Sequence, residues 1–248
     1  KRYIRNIVKI FEYKIYNIIS EFLDFQIIVM NFNFQKAREL MVENQLRPNK
    51  INNKIILELF KNIKKEDFLP EQIKKNSYND LDAQLSSNRG YLKNLHVAQL
   101  IHSAEISKQD KILHIGGMTG YVSVILSSLC KELIIIENEI NLISKIEENI
   151  KNLNIKNATI VNVPFQTGFN KESPYDIIFI DNPIWEEIDT IKKQVSPNSG
   201  RIIMIKKINP YLCKAYKITN NNNIYTNEFL FDVFTKYELY KNETKFVF

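Results

Sequence analysis

KILHIGGMTGYVSVILSSLCKELIIIE, residues 111–137, carries more structural information than any other stretch of this chain. It opens with a short apolar run, 112–115, set between the charged pair Asp110-Lys111 and two glycines. Continuous apolar runs of that length mark buried parallel strands. Gly116-Gly117-Met118-Thr119-Gly120 predicts a turn, and residues 121–130 predict a helix, apolar at Val122, Val124, Ile125 and Leu129. A second apolar run, 133–136, ends in Glu137. Strand, glycine turn, helix, strand and terminal acid make one βαβ unit of the kind that seats a nucleotide. Gly116 lets the backbone leave the strand sharply, Gly120 lets the helix start pack close to the sheet, and N–H groups at that start are free to meet a ligand. Glu137 falls about 20 residues past the turn, where a carboxylate accepts hydrogen bonds from both hydroxyls of a ribose. The same glycines also serve turns that bind nothing, so the motif alone leaves both possibilities open.

Downstream, Ile143, Ile146, Ile150 and Leu153 stripe a helix, and residues 158–161 predict a third strand. A fourth, 175–181, is followed by Ile184, Ile188, Ile191 and Val195 at helical spacing. Residues 197–200 turn into a fifth strand, 201–205, and the tail holds two strand-like pieces, 215–219 and 229–234, joined by a hairpin or loop at 220–223. Alternating βα units with an antiparallel ending predict an α/β fold, a mostly parallel twisted sheet with helices on both faces. Upstream, Phe34, Ala37, Leu40 and Met41 line one face of a helix over 34–46 that Arg47-Pro48 ends. Ile55, Ile56, Leu59, Phe60 and Ile63 mark a second helix. Residues 86–95 form a loop into a third, with Val97, Leu100, Ile101 and Ala104 inward.

At 248 residues, 44% of them apolar, the chain suits one α/β domain with additions and is not disordered. No run reaches the some 18 apolar residues of a membrane helix. Cys130 and Cys213 lie far apart without metal spacing, which predicts reduced cytoplasmic thiols. His96 and His102 have no partner at ligand spacing, so ordinary polar or packing roles and no metal are expected. The formal charge of +6 rests on lysine far more than arginine, with no arginine–aromatic cluster, and no nucleic-acid partner is expected. Residues 1–29 are apolar but broken by Lys9, Glu12, Lys14, Glu21 and Asp24, neither a span nor a clean signal peptide. The expectation is an upstream stretch ahead of a start at Met30; an amphipathic helix on a membrane surface is the alternative.

The strand–Gly-x-x-x-Gly-Tyr–helix–strand–Glu pattern resembles the S-adenosylmethionine-dependent methyltransferases. The surrounding chain resembles the protein-L-isoaspartate O-methyltransferase family in its divergent, alphaproteobacterial form. AREL-MVENQLRP (37–48), the most specific stretch, is joined by DFLPE (67–71), YND (78–80), GYL (90–92) and PYD (174–176), in family order. The resemblance implies a Rossmann-like methyltransferase fold: an extension, 1–30, a helical cap and substrate-side loop, 31–105, and a cofactor-binding domain, 106–248. It implies S-adenosyl-L-methionine as cofactor, contacted by His114, Gly116, Gly117, Thr119, Gly120, Tyr121, Glu137, Asn138 and Asp181. It also implies a monomer working in the cytoplasm on isoaspartyl or D-aspartyl carboxylates of damaged proteins or peptides. An ionised carboxylate is already a nucleophile, so such an enzyme works mainly by alignment.

The chain departs from the family at several points. An acid is replaced by His114 and a glycine by Met118, where glycine supplies positive φ or room for the ligand. Asn162-Val163-Pro164 stands where an acid contacts adenine. Lys93 and Leu95 replace the Ser and Pro of the family's Gln-Thr-x-Ser-Gln-Pro loop, so no catalytic residue is assigned. Two further functions remain open. One is a non-catalytic relative that keeps the fold as a binding module, motivated by His114, Met118, Val163 and Lys93. The other is an N-methyltransferase using Asn182-Pro183-Ile184-Trp185.

Overall fold

The computed structural model describes residues 14–17 and 32–240. The expectations for residues 1–29 lie outside the described residues, apart from 14–17, which are helical and exposed. The chain divides into two compact units, Lys1–Lys36 and Ala37–Phe248. Within the first, the rings of Phe32 and Phe34 meet edge-on at 4.8 Å.

The second unit is built on a seven-stranded sheet. β3 (Lys111–Ile115), β4 (Glu132–Ile136) and β5 (Ala158–Val161) match the apolar runs of the sequence almost residue for residue. β6 (Ile177–Ile184), β7 (Asn198–Lys207), β8 (Leu212–Asn221) and β9 (Ile224–Phe234) complete the order β5-β4-β3-β6-β7-β8-β9. Pairing is parallel from β5 to β7 and antiparallel from β7 to β9. The β8–β9 turn carries Asn222 and Asn223 at φ +53 and +67, the left-handed pair that asparagine tolerates in tight hairpins. Strand winding reverses between β3 and β6, so a crevice opens beyond their carboxyl ends, the usual ligand seat of such sheets.

Around the sheet lie α1 (Phe34–Met41), α2 (Lys54–Asn62), α3 (Asn94–Ser103), α4 (Tyr121–Ser127), α5 (Ile140–Asn152) and the single turn α6 (Asp189–Lys192). Val97, Leu100, Ile101 and Ala104 are buried, as the pattern of α3 requires. His96 stacks on Phe231 at 5.4 Å, and burial, then the charge of Lys93, lowers its pKa to about 4. It is a packing histidine.

Several predicted helices change form. The helix expected over 34–46 is α-helical only to Met41, widens to a π turn over Val42–Leu46 and tightens to a 3₁₀ turn over Arg47–Asn49. Pro48 sits in the first turn of that new piece, where no N–H is needed. Leu40, expected inward, is exposed, while Arg38 is buried on Glu66. The helix expected to Cys130 stops at Ser127.

The helix expected from Ile184 to Val195 is the main correction. Pro183 holds the residue before it extended, so β6 continues through Asn182 and Pro183 past a bulge to pair Ile184 with Lys206. Ile184, Ile191 and Val195 still enter the core, from a strand end, α6 and a loop. A two-strand hairpin not expected from the sequence, β1 (Ala83–Gln84) with β2 (Gly90–Tyr91), holds residues 85–89 over the sheet crevice. A Cβ on Gly90 would lie 2.4 Å from Ala83 O and 2.6 Å from the Tyr237 ring. Gly90→Ala is therefore expected to cost about 1–3 kcal/mol by overpacking; an unchanged urea midpoint would refute the close fit.

Candidate cofactor site

The glycine turn leaves β3 into the crevice. The N–H groups of Gly116, at φ +92, and Gly117 donate to Ile136 O at 2.9 and 3.2 Å, tying the turn to the end of β4. Met118 stands at φ +52, the positive φ expected at a glycine position and one that a residue with a Cβ adopts under strain. Its side chain is fully buried, with Sδ 3.7 Å from Asn182 Nδ2. Gly120, at φ +96, starts α4.

His114 is buried beneath the turn, with Nδ1 2.9 Å from Ser123 Oγ and Nε2 3.3 Å from Asp181 Oδ1. The position of the expected acid thus holds a histidine set against the acid of the neighbouring strand.

The expectation that the N–H groups of the helix start stand free is overturned. Tyr91 Oη accepts from the N–H groups of Thr119 and Tyr121 at 3.2 and 3.0 Å. Thr119 Oγ1 donates to Phe68 O at 2.7 Å, which leaves the 2.8 Å contact between Tyr91 Oη and Thr119 Oγ1 for the tyrosine proton. Tyr91 therefore caps α4 from the hairpin. The Tyr121 ring packs edge-on against Phe60, Phe68 and Tyr91.

Glu137 reaches the end of β4 as expected, but it is fully buried and fully engaged. Arg89 Nη1 and Nη2 donate to its two oxygens at 2.8 and 2.7 Å. The N–H of Met118 donates at 2.8 Å, and those of Asn138 and Glu139 at 2.9 and 3.1 Å. Burial works to raise the Glu137 pKa; the hydrogen bonds and charge of Arg89, with those N–H groups, outweigh it and hold the carboxyl below its ordinary value. Arg89 also donates to the half-exposed Glu139 at 2.9 Å, and its guanidinium lies 5.0 Å over the Phe165 ring. Asn138 itself is exposed.

Residues 235–240 cross the crevice as a strap. The N–H of Glu238 donates to Asn88 O at 2.9 Å and that of Leu239 to Pro183 O at 2.8 Å. Lys207 Nζ donates to Lys236 O and Tyr237 O, both at 3.1 Å, and Trp185 Nε1 donates to Glu238 at 2.9 Å. Leu239 Cδ1 comes within 2.6 Å of where a Cβ on Gly116 would lie. What remains beside Arg89 is a cleft of 290 Å³ bounded by Asn88, Phe165, Leu239 and Tyr240. A larger groove of 680 Å³, touched by Lys93, His96, Tyr211 and Phe234, lies along the strap at Thr235, Lys236 and Tyr237.

In this arrangement the chain's own side chains fill the places that S-adenosylmethionine would take. The carboxylate in the ribose position is taken by Arg89, the helix start by Tyr91, and the face of Gly116 by Leu239. Arg89, Phe165 and Leu239 were not among the residues singled out from the sequence, and Tyr91 stood there only as part of the GYL stretch, without a role at the cofactor. Lys93, at the family's serine position, donates its N–H to Asp82 at 2.9 Å and pairs through Nζ with Asp80 at 3.2 Å. Val163, at the adenine position, packs half-buried on the core. Asn182 faces Met118 while Trp185 faces Glu238 and Lys207, so the two do not converge on one acceptor. Among the described residues, no group of three or more His, Cys, Asp or Glu side chains is arranged to hold a metal. No helix among them is long and apolar enough to cross a membrane.

The sequence profile of the protein-L-isoaspartate(D-aspartate) O-methyltransferase family matches residues 35–230. A protein-L-isoaspartate O-methyltransferase of Syntrophobacter fumaroxidans is 29% identical over 148 residues, 60% of this chain and 69% of its own length. One from Brucella anthropi is 26% identical over 172 residues, 69% of this chain and 78% of its own. Among solved structures, a Plasmodium falciparum chain described as a candidate protein-L-isoaspartate O-methyltransferase, in complex with S-adenosyl-L-homocysteine, superposes with a TM-score of 0.69. It is 20% identical, and the match covers 86% of this chain and all of that one, so the likeness is one of fold. The profile match runs from α1 into β9 and takes in the turn, Arg89 and Glu137, and on that ground the chain belongs to the protein-L-isoaspartate(D-aspartate) O-methyltransferase family, enzymes that act on isoaspartyl-containing proteins.

Proposed function

We propose that this chain carries out its family's reaction, S-adenosylmethionine-dependent methylation of isoaspartyl or D-aspartyl carboxylates in damaged proteins. The observation that carries it is Glu137: a buried carboxylate at the end of β4, bonded to the N–H of Met118 in the glycine turn and held ionised. That is the equipment for a ribose, and it survives although the residues around it have changed. His114, Gly116, Gly117, Thr119, Gly120, Tyr121, Asn138 and Asp181 are proposed to complete the cofactor seat once Arg89 has left. The 680 Å³ groove is proposed as the approach for the peptide. A carboxylate acceptor needs no base, in keeping with a site that offers none at Lys93. The separation of Asn182 from Trp185 favours a carboxylate over an amine.

We further take the enzyme to act as a monomer in the cytoplasm, without nucleic-acid or membrane partners. Cys130 and Cys213 support that compartment: both are free and buried, and burial pushes their thiols up to about 12 and about 11. The test is transfer of labelled methyl from S-adenosylmethionine to an isoaspartyl peptide. The expected product is a base-labile ester that releases methanol, formed on the isoaspartyl but not the aspartyl peptide. Absence of transfer at saturating cofactor, or a base-stable methyl group, would defeat the proposal.

A further inference from the structure

We propose that Arg89 and the strap 235–240 are a built-in plug that the cofactor displaces, so that the chain alternates between the closed form described here and an open form in which its two clefts join. The proposal rests on the methyltransferase function above. Arg89 occupies both features a nucleoside would use. Its guanidinium takes the two oxygens of Glu137 where ribose hydroxyls would bind, and its Cζ lies 5.0 Å from the centroid of the Phe165 ring, a face on which a planar base could stack. The strap adds the cover, since Leu239 closes over Gly116 while Glu238 and Leu239 are bonded down to Asn88 and Pro183.

The closed form is imperfectly satisfied. Arg89 Nε and Asn182 Oδ1 are buried without a hydrogen-bond partner, which buried polar atoms rarely are. Neither end of the Arg89–Glu137 contact is stranded by opening. Glu137 keeps the N–H groups of Met118, Asn138 and Glu139, and Arg89 keeps the half-exposed Glu139 as an outward anchor. The strap lines both clefts at different points along its length. Thr235, Lys236 and Tyr237 line the 680 Å³ groove, and Leu239 and Tyr240 line the 290 Å³ cleft. Lifting it would join a nucleoside-sized space to a peptide-sized one, which methyl transfer between two ligands requires.

The test uses the full chain and S-adenosylhomocysteine as probe. Its affinity is measured by calorimetry for the native protein, Arg89→Ala, Leu239→Ala and Glu137→Ala, and amide exchange is followed at Glu238 and Leu239. If the plug is real, Arg89→Ala binds at least about tenfold tighter than native, a gain of about 1.4 kcal/mol. Leu239→Ala also gains affinity, Glu137→Ala loses it, and adding the probe to the native chain strips exchange protection from the strap. Weaker binding by Arg89→Ala than by native, or a strap that stays equally protected when the probe binds, overturns the plug and leaves the methyltransferase function standing. Absence of binding by native, Arg89→Ala and Leu239→Ala alike overturns that function and the plug with it. Should Arg89→Ala fail to fold, Leu239→Ala and exchange in the native chain decide.

Discussion

Replacing Glu137 with alanine is expected to lower the unfolding free energy by about 3 kcal/mol, from the loss of two charge-assisted bonds to Arg89 and of the acceptor for three buried backbone N–H groups. Arg89, whose side chain is 4% exposed, would be left with Glu139 as its one carboxylate partner. The reverse change, Arg89→Ala, is expected to cost less, about 2 kcal/mol, because the carboxylate retains three backbone N–H donors. The double replacement Arg89→Met with Glu137→Leu removes both charges and should recover part of the loss. Urea denaturation of the set measures all three. Equal costs for the two single alanine variants would mean that the backbone donors do not compensate. The pH dependence has a definite sign. Since the folded pKa of Glu137 is lowered, its contribution is complete above the ordinary carboxylate value and is lost as pH falls through the folded one. Glu137→Ala should therefore show a smaller acid-induced loss of stability than the native chain.

The sheet was legible where burial alone dictates sequence. β3 and β4 lie inside the parallel part of the sheet, so Ile and Leu runs broken only by His114 mark their bounds, while the edge strand β5, half-buried over Ala158–Val161, was marked by Ile160 and Val161. β6 was misjudged past Asp181, because the spacing of Ile184, Ile188, Ile191 and Val195 fits a helix while Pro183 commits the backbone to a strand. The positive φ at Met118 was also legible, since it follows from the turn and not from the side chain. The self-filled site was not. Arg89 lies in a polar loop where periodicity says nothing, and its partner is 48 residues away. One signal was available. In a chain that uses lysine for most of its positive charge, arginines at 38, 89 and 201 each hold a carboxylate, Glu66, Glu137 and Asp110. A guanidinium is the cation suited to bidentate, partly desolvated pairing, so scarce arginines in a lysine-rich chain point to such pairs.

Lys65 should make stability rise with pH through a range where most lysines are silent. It is almost fully buried, its Nζ donates to Asn94 Oδ1 at 2.9 Å, and the rings of Tyr91 and Tyr121 flank it at 5.8 and 5.6 Å. Burial lowers its pKa to about 7, with the charge of Asp82 pulling weakly the other way. Below that pH the ammonium is charged in both folded and unfolded chains, and folding bears its whole desolvation. Between that value and the ordinary lysine value of about 10.4, the unfolded chain binds more protons, so stability climbs with pH by up to about 4 kcal/mol. Lys65→Met removes the group and keeps most of its volume. The variant is expected to be more stable than native at pH 6 by about 1–3 kcal/mol, the desolvation relieved less the hydrogen bond lost. That advantage should shrink as pH rises and become a deficit of about 1 kcal/mol near pH 10, where the native amine is neutral and still bonded to Asn94. Urea midpoints of the two proteins compared at each pH isolate Lys65 from every other titrating group. A difference that stays flat from pH 6 to pH 10 would mean that the ammonium is solvated or paired in the fold and that its burial carries no electrostatic cost.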